Sequence, residues 1–164
     1  MLWISANQLI VGETLVFDGS AETDGSYVVY GGEGADILAG GDGGDELWDR
    51  GGADTLTGGG GNDSFVYGSA AHSAPGAEDE ITDFTFGDLI GLAAIDANSL
   101  SGGDQAFTFI SGAAFSNTAG ELRATLQSGS WLVEGDTNGD GSADFSLLVT
   151  LADADPFTAG DFIL

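Results

Sequence analysis

Between Gly31 and Val66 the chain reads GGEGADILA GGDGGDELW DRGGADTLT GGGGNDSFV, four nine-residue units in phase. Asp36, Asp45, Asp54 and Asp63 hold the sixth place of each unit, and Leu38, Leu47, Leu56 and Phe65 hold the eighth. The glycine-rich half of a unit can turn tightly, because glycine tolerates positive φ. The last three residues, such as Ile37-Leu38-Ala39 or Glu46-Leu47-Trp48, run extended with the middle side chain pointing inward. Two turns and two short strands then close one coil, and successive coils stack as parallel sheets that bury one apolar residue per strand. A flexible Gly/Asp linker would not keep an apolar residue at every eighth place.

Stacking sets alternate turns side by side, which puts Asp36 near the 49–54 turn and Asp45 near the 58–63 turn. Carboxylates and the carbonyls of open glycine loops line each gap. The array holds Glu33, Asp36, Asp42, Asp45, Glu46, Asp49, Asp54 and Asp63 against one cation, Arg50. Like charges a few ångströms apart cost on the order of a kcal/mol or more each, so the coil is expected to open without cations. Hard oxygen donors at six or more positions suit Ca²⁺, whereas Mg²⁺ demands a stricter octahedron and keeps its waters. The expectation is several Ca²⁺ ions and folding that depends on them.

The rest of the composition agrees. The chain has 27 acidic residues, two basic ones (Arg50 and Arg123) and a net charge of −25, which repels nucleic acid and anionic membrane. Disorder is not expected, because 42% of residues are hydrophobic and there are 10 Phe, 3 Trp and 3 Tyr. Cysteine is absent, so there is no disulfide framework. MLWISANQLIV has neither the basic n-region nor the cleavage site of a secretory signal, and no apolar run reaches the length of a membrane span. Neither an N-terminal export signal nor membrane insertion is expected.

Three regions are expected. Residues 1–30 form a cap with strands at Leu9–Val11, Leu15–Phe17 and Val28–Tyr30 around the polar turn Asp18–Ser26; residues 31–66 form the roll. Residues 67–164 lose the nine-residue period and read as an antiparallel β-sandwich around Phe84, Phe107, Phe109, Phe115, Trp131 and Phe145. Asp88–Ser99 has room for one short helical turn. The fold class is all-β: a capped parallel β-roll followed by an antiparallel β-sandwich.

The unit GGxGxDxUx is itself the known calcium-binding repeat of RTX proteins, so the match is to a described motif. The array therefore resembles an RTX β-roll. The segments DSFVYGSAAHSAPGAEDEITDF, AFSNTAGELR and EGDTNGDGSADF resemble the C-terminal domain of serralysin-type secreted metalloproteases, from about Gly31 to Leu164. FDGSAETDGS in residues 1–30 is similar to the capping segment ahead of such arrays. The resemblance implies a secreted, extracellular domain that binds Ca²⁺, folds outside the cell, and engages the type I secretion machinery through its C-terminus. It also implies an upstream catalytic or adhesive domain in the parent chain, or attachment to a cell surface. By resemblance the ligands are positions one, three and six of each unit: Gly31, Glu33, Asp36; Gly40, Asp42, Asp45; Asp49, Gly51, Asp54; Gly58, Gly60, Asp63. The family closes its last sites with acids at what are here positions 72 and 79. Asp79 fits, and His72 departs, since imidazole is a poor Ca²⁺ ligand. Asp49-Arg50 in place of two glycines is the other departure, on the same side of the roll.

His72 is the only histidine, so the HExxH zinc helix of a metalloprotease is absent, as is any recognisable Ser/His/Asp arrangement; without cysteine there is no thiol nucleophile. His72 is expected in a solvent-facing loop. Its phase places it beside the 49–54 turn, in a gap that contains Asp54 and lacks its closing acid. Asp136-Thr-Asn138-Gly-Asp140-Gly141 begins like an EF-hand loop, but the twelfth position is Leu147 instead of glutamate, and a hairpin between two strands explains it better. Asp24 stands at a third position in phase with the array and offers either a partial site against Asp45 or a turn cap. Asp161-Phe162-Ile163-Leu164 is an acid before three terminal apolar residues. Alone it reads as an edge strand; beside an RTX array it resembles the terminal motif of type I exported proteins.

The function expected is a noncatalytic calcium-binding module that carries the secretion signal of a larger exported enzyme or surface protein. The alternative is a carbohydrate-binding or substrate-holding R-module of a polysaccharide-modifying enzyme such as an alginate epimerase. Two arginines and no lysine argue against an acidic polymer as ligand. A self-sufficient enzyme is the third possibility, and the missing nucleophiles and metal ligands oppose it.

Overall fold

The computed structural model describes residues 1–152 and 156–164 and is all-β. The first strands are β1 (Leu2–Ser5), β2 (Val16–Asp18), β3 (Tyr27–Tyr30), β4 (Ile37–Ala39) and β5 (Glu46–Trp48). Next come β6 (Thr55–Thr57), β7 (Ser64–Val66), β8 (Asp79–Phe84), β9 (Leu89–Gly91) and β10 (Thr108–Phe109). The last are β11 (Glu121–Gln127), β12 (Ser130–Asp136), β13 (Phe145–Leu151) and β14 (Phe162–Ile163). They form two sheets, ordered β1-β3-β5-β7-β9-β14 and β10-β11-β12-β13-β8-β6-β4-β2.

Strands of three residues cannot stand alone; register and burial hold them. In one sheet Val29, Leu47, Phe65, Ile90 and Phe162 stack in line, and in the other Leu38, Leu56, Ile81 and Val149 do. All of these side chains are buried. Each contributes roughly 1.5–3 kcal/mol by leaving water, which offsets the ordering of its short strand. In β5, β6 and β7 the residues on either side of the buried one are half-buried, so the column carries most of the apolar packing of the repeat.

The period does not end at Val66. β8 pairs parallel with β6 and β9 with β7, so the roll gains a further coil after the insertion at residues 67–78. Both sheets run without a break from the glycine-rich part into the C-terminal part. There, β11, β12 and β13 form an antiparallel meander whose last strand lies parallel to β8. Phe84, Phe107 and Phe145 are buried in its core, and Phe109 and Trp131 pack against it half-buried. Phe115 is not in the core. It lies half-buried with the Arg123 guanidinium 4.2 Å from its ring centre, and Arg123 in turn pairs with Glu134 at 2.9 Å.

The N-terminal expectations need correcting. Leu9–Val11 is a loop with Ile10 and Val11 exposed, and the outer strand is instead Leu2–Ser5, which pairs with Tyr27–Tyr30. β2 covers Val16–Asp18, one residue beyond the expected strand. No helical turn forms in Asp88–Ser99, which begins with β9 and continues in turns. Among the described residues one 3₁₀ turn forms, Ala159–Asp161; the reciprocal Thr158–Asp161 capping box closes its N-terminal end, and it delivers β14 onto β9. Among the described residues, no helix is long and apolar enough to cross a membrane.

Candidate metal centre

The turns of the roll stack along two edges: 31–36, 49–54 and the 67–78 loop on one, 40–45, 58–63 and 85–88 on the other. A sixth-position aspartate ties each turn to the one before it. Asp36 Oδ1 accepts the N–H of Leu15, Asp54 Oδ1 that of Asp36, and Asp79 Oδ1 that of Asp54, at 2.7–2.8 Å. On the other edge Asp45 takes the N–H of Tyr27, Asp63 that of Asp45, and Asp88 that of Asp63, at 2.7–2.9 Å. These donors leave the strand ladder at its end and would otherwise be orphaned, so each carboxylate is held in place by its backbone partner. All six aspartates are buried.

The second oxygens divide into two groups. Those of Asp36 and Asp45 accept the N–H of Gly32 and Gly41 in their own turns, and that of Asp88 accepts from Thr85. Those of Asp54, Asp63 and Asp79 are buried with no hydrogen-bond partner. The first-position glycines are there for space. A Cβ at Gly31 would strike the carbonyl of Asp49 and the carboxylate of Asp36, and one at Gly40 the carbonyl of Gly58 and the carboxylate of Asp45. In the third unit Arg50 adopts φ 75°, the left-handed region that costs a residue with a Cβ about 1–2 kcal/mol.

The orphaned oxygens concentrate on the first edge. Asp49, Asp54 and Asp79 are all buried, and each has a carboxylate oxygen within 4.8 Å of the others. Both oxygens of Asp49 lack a partner. Asp79 is positioned by its own N–H, donated at 2.9 Å to Ser73 Oγ, while the Ser73 hydroxyl donates to the carbonyl of Ser146 in β13. Burial pushes the Asp54 carboxyl up to about 7, with the Asp36 and Asp49 charges adding to it. Burial and then the Asp49 charge push Asp79 up to about 9, and burial raises Asp49 against the opposing influence of His72. On the other edge burial lifts Asp63 to about 7, helped by the charges of Asp88, Asp45 and Asp83. Buried like charges this close either protonate or share a cation. Hard oxygens without hydrogen-bond partners fit a divalent cation, and at Asp63 the cradle also admits only glycine, since a Cβ at Gly58 would strike its Oδ2.

The residues named from sequence fall in different places. Asp36, Asp45, Asp49, Asp54, Asp63 and Asp79 come together along the two edges, with Gly31, Gly40 and Gly58 packed against them. At the third positions, Glu33 and Asp42 point to solvent, while Gly51 and Gly60 donate their N–H to Gly32 and Gly41 of the preceding coil. Asp24 is exposed; its N–H goes to the Glu22 carboxylate, which also takes those of Thr23 and Gly25 and organises that turn. His72 is not solvent-facing. Its side chain is 29% exposed, with a buried Nδ1 that lies 3.8 Å from Asp49 Oδ1 and has no hydrogen-bond partner. Nor does the gap lack its closing acid, since Asp79 fills that role. The Asp136 loop forms a hairpin turn in which its carboxylate takes the N–H groups of Asn138, Gly139 and Gly141.

Sequence reasoning missed Asp88 and Asp83. Asp88 closes the second ladder, and Asp83 takes the N–H groups of Gly58 and Gly59 with its two oxygens. For Asp88 the signal was present: Asp79-Glu-Ile81 and Asp88-Leu-Ile90 repeat the aspartate and the inward residue of each unit, nine residues apart, whereas nothing in the period points to Asp83.

Two glycine-lined edges with buried aspartate ladders between stacked coils define a cation-binding parallel β-roll. A family model described as the serralysin C-terminal domain of M10 peptidases matches residues 26–164. The chain belongs to that family, whose members are RTX-type calcium-binding modules and the noncatalytic part of serralysins. Residues 1–25, which supply β1 and β2, lie outside the match. No curated protein matches the chain.

Proposed function

We propose that this chain is a noncatalytic calcium-binding module that folds on meeting extracellular Ca²⁺ and carries the type I secretion signal of a larger exported enzyme or surface protein. One observation carries the reading. Carboxylates of successive coils are buried along both edges, and those of Asp54, Asp63 and Asp79 each keep an oxygen that no protein group satisfies.

Asp36, Asp45, Asp54 and Asp63 would hold the ions, with carbonyls from Gly31, Glu33, Gly40, Asp42, Gly51, Gly58 and Gly60. Asp24 would contribute at the N-terminal end, and Asp49 and Asp79 would hold a dication in the last gap of their edge. The ions would supply the positive charge that the carboxylates lack. Meanwhile the aspartate Oδ1 atoms orient the turns by accepting backbone N–H groups. In low calcium the repulsion between coils keeps the chain open, which suits passage through a narrow export channel; outside, ion binding is folding free energy. The tail, Asp161-Phe162-Ile163-Leu164, is read as the export signal; its strand β14 lies at the edge of its sheet beside β9.

Circular dichroism in calcium and in EDTA tests the reading: β-rich against largely unfolded is expected, and identical spectra would refute it. A second reading, a substrate-holding module of a polysaccharide-modifying enzyme, draws on one feature. Tyr30 and Trp48 stack at 5.5 Å beside Arg50, Glu33 and His72, lining a cavity of about 310 Å³. Titration with oligosaccharides tests it, and heats unchanged by Trp48→Ala would remove it.

A further inference from the structure

The one cation of the roll is out of keeping with its surroundings. Arg50 occupies the second position of its unit, where the other units have Gly32, Gly41 and Gly59. Its φ is 75°, a conformation that glycine would adopt without a Cβ penalty. Strain of this kind persists only where the surrounding structure enforces it, and it gathers at binding sites. Among the described residues the Arg50 guanidinium has no hydrogen bond, ion pair or ring contact, in a chain with 27 acidic residues.

Arg50 lines the cavity of about 310 Å³ together with Tyr30, Glu33, Trp48, Gly68 and His72. Tyr30 ends β3 and Trp48 ends β5; Glu33 and Arg50 stand on the turns that follow, and Gly68 and His72 on the 67–78 loop. Tyr30 and Trp48 are partners in register, and their rings stack at 5.5 Å with 23° between the planes. The Trp48 indole N–H already donates to the Glu46 carboxylate, so the ring offers the cavity apolar surface and no unmet donor. In the next coils the same register position holds Val66 and then Gly91. The column of rings therefore stops at Trp48, whose second face meets no further aromatic.

The polar groups of the wall are of both kinds. Glu33 offers acceptors and Arg50 offers donors, yet the two line one cavity without pairing with each other. A ligand that joins them must accept from one and donate to the other. A hydroxyl does both, and neighbouring hydroxyls of a pyranose ring place the two functions side by side, while its C–H face suits an indole. A carboxylated ligand fits less well, because Glu33 lines the cavity and the Asp49 carboxylate lies 3.8 Å from His72. Small-ligand pockets run from about 300 to 1,000 Å³, so this cavity takes the end of a glycan and not a long segment.

We propose that Trp48, Tyr30, Arg50 and Glu33 form a subsite for the end of an uncharged glycan, with a pyranose ring against Trp48 and its hydroxyls shared between Arg50 and Glu33. The proposal rests on the second reading of this face, as a saccharide-holding one, and narrows it to neutral pyranosides. It also gives the strain at Arg50 a use: glycine would make a more comfortable turn but would leave the cavity without its cation. Arg50 stands beside Asp49, and the loop of His72 leads to Asp79, so the calcium form is the one in which this wall is assembled.

The test uses the full chain in millimolar calcium, its folding checked by circular dichroism. It is titrated by calorimetry with cellotriose, mannotriose and maltotriose, and with trigalacturonate as the charged comparison. At least one neutral trisaccharide should bind, and Trp48→Ala and Arg50→Gly should each weaken it by about tenfold or more. Arg50→Gly restores the residue of the other units, so its circular dichroism should match wild type. Asp104→Ala, on an exposed loop, should leave the affinity unchanged. The proposal is overturned if no neutral trisaccharide binds, if folded Arg50→Gly binds as tightly as wild type, or if Asp104→Ala loses as much as Arg50→Gly. Binding of trigalacturonate alone overturns it and leaves the broader saccharide reading standing; no binding of any probe removes both.

Discussion

Replacing Asp63 by asparagine separates the two roles of its carboxylate. Oδ1 accepts the N–H of Asp45 at 2.8 Å, a bond that the asparagine carbonyl reproduces; Oδ2 is buried with no partner. What the substitution removes is the charge. A carboxyl raised from 3.8 to about 7 costs the metal-free fold about 4 kcal/mol once the pH is above both values. Asp63→Asn should therefore stabilise the metal-free protein at pH 8 by about 2–4 kcal/mol, the lower figure allowing for relaxation of Asp45, Asp83 and Asp88. In calcium the sign reverses, because the same charge is then a ligand. The assay is chemical denaturation followed by tryptophan fluorescence in EDTA and in calcium, with trimethylamine N-oxide used to fold the metal-free chain where it has no folded baseline. A variant that is less stable than wild type in both conditions would show that the Asp63 charge is satisfied within the protein, and the argument from unpartnered oxygens would fail.

The same carboxyls give a pH dependence. Asp54 and Asp63 rise to about 7 and Asp79 to about 9, so their protonated forms favour the metal-free fold; that stability is complete below about pH 4 and is lost as pH rises through 7 to 9. In EDTA, circular dichroism should show β-structure growing as pH falls from 9 to 5, and a spectrum that becomes less ordered on acidification would contradict this. Arg50→Gly should raise the stability of the calcium form by about 1 kcal/mol, read from the urea midpoint, because glycine adopts the φ of 75° without a Cβ penalty. No gain would mean that the Arg50 side chain stabilises the turn by as much as its backbone strains it. Asp88→Ala should weaken calcium-dependent folding as Asp45→Ala does, while Asp104→Ala, on an exposed loop, should leave the calcium midpoint unchanged. Equal midpoints for all three variants would remove the ladder from the account.

Much of this was legible from the repeat alone. The eighth-position residues became the buried column, and the sixth-position aspartates became the ladders, because a strict period leaves each side chain one place to go. The coil made by β8 and β9 was hidden by the insertion: the ladder bond from Asp45 to Asp63 spans 18 residues, and that from Asp63 to Asp88 spans 25. Counting in nines past Val66 therefore reached His72 and passed over Asp88, while Asp79 entered only through the family resemblance. Glycine at positions one and two was read as a demand for positive φ, yet at Gly31 and Gly40 the demand is for room, which only the neighbouring coil imposes. Phe115 looked like core because it is aromatic; a guanidinium over its ring provides a second way to shelter an aromatic face. His72 was expected in a solvent-facing loop although its phase placed it beside the 49–54 turn; the phase was the better guide, since its Nδ1 is buried 3.8 Å from Asp49 Oδ1.

The central claim is that the gaps between stacked turns hold calcium through the sixth-position aspartates. Crystals grown in calcium, with data collected at long wavelength, test it most directly through the anomalous difference map. The account predicts peaks within bonding distance of Asp63 Oδ2 and between the 40–45 and 58–63 turns. A map with no peak along that edge, or with peaks only at the exposed carboxylates of Glu33 and Asp42, would contradict it.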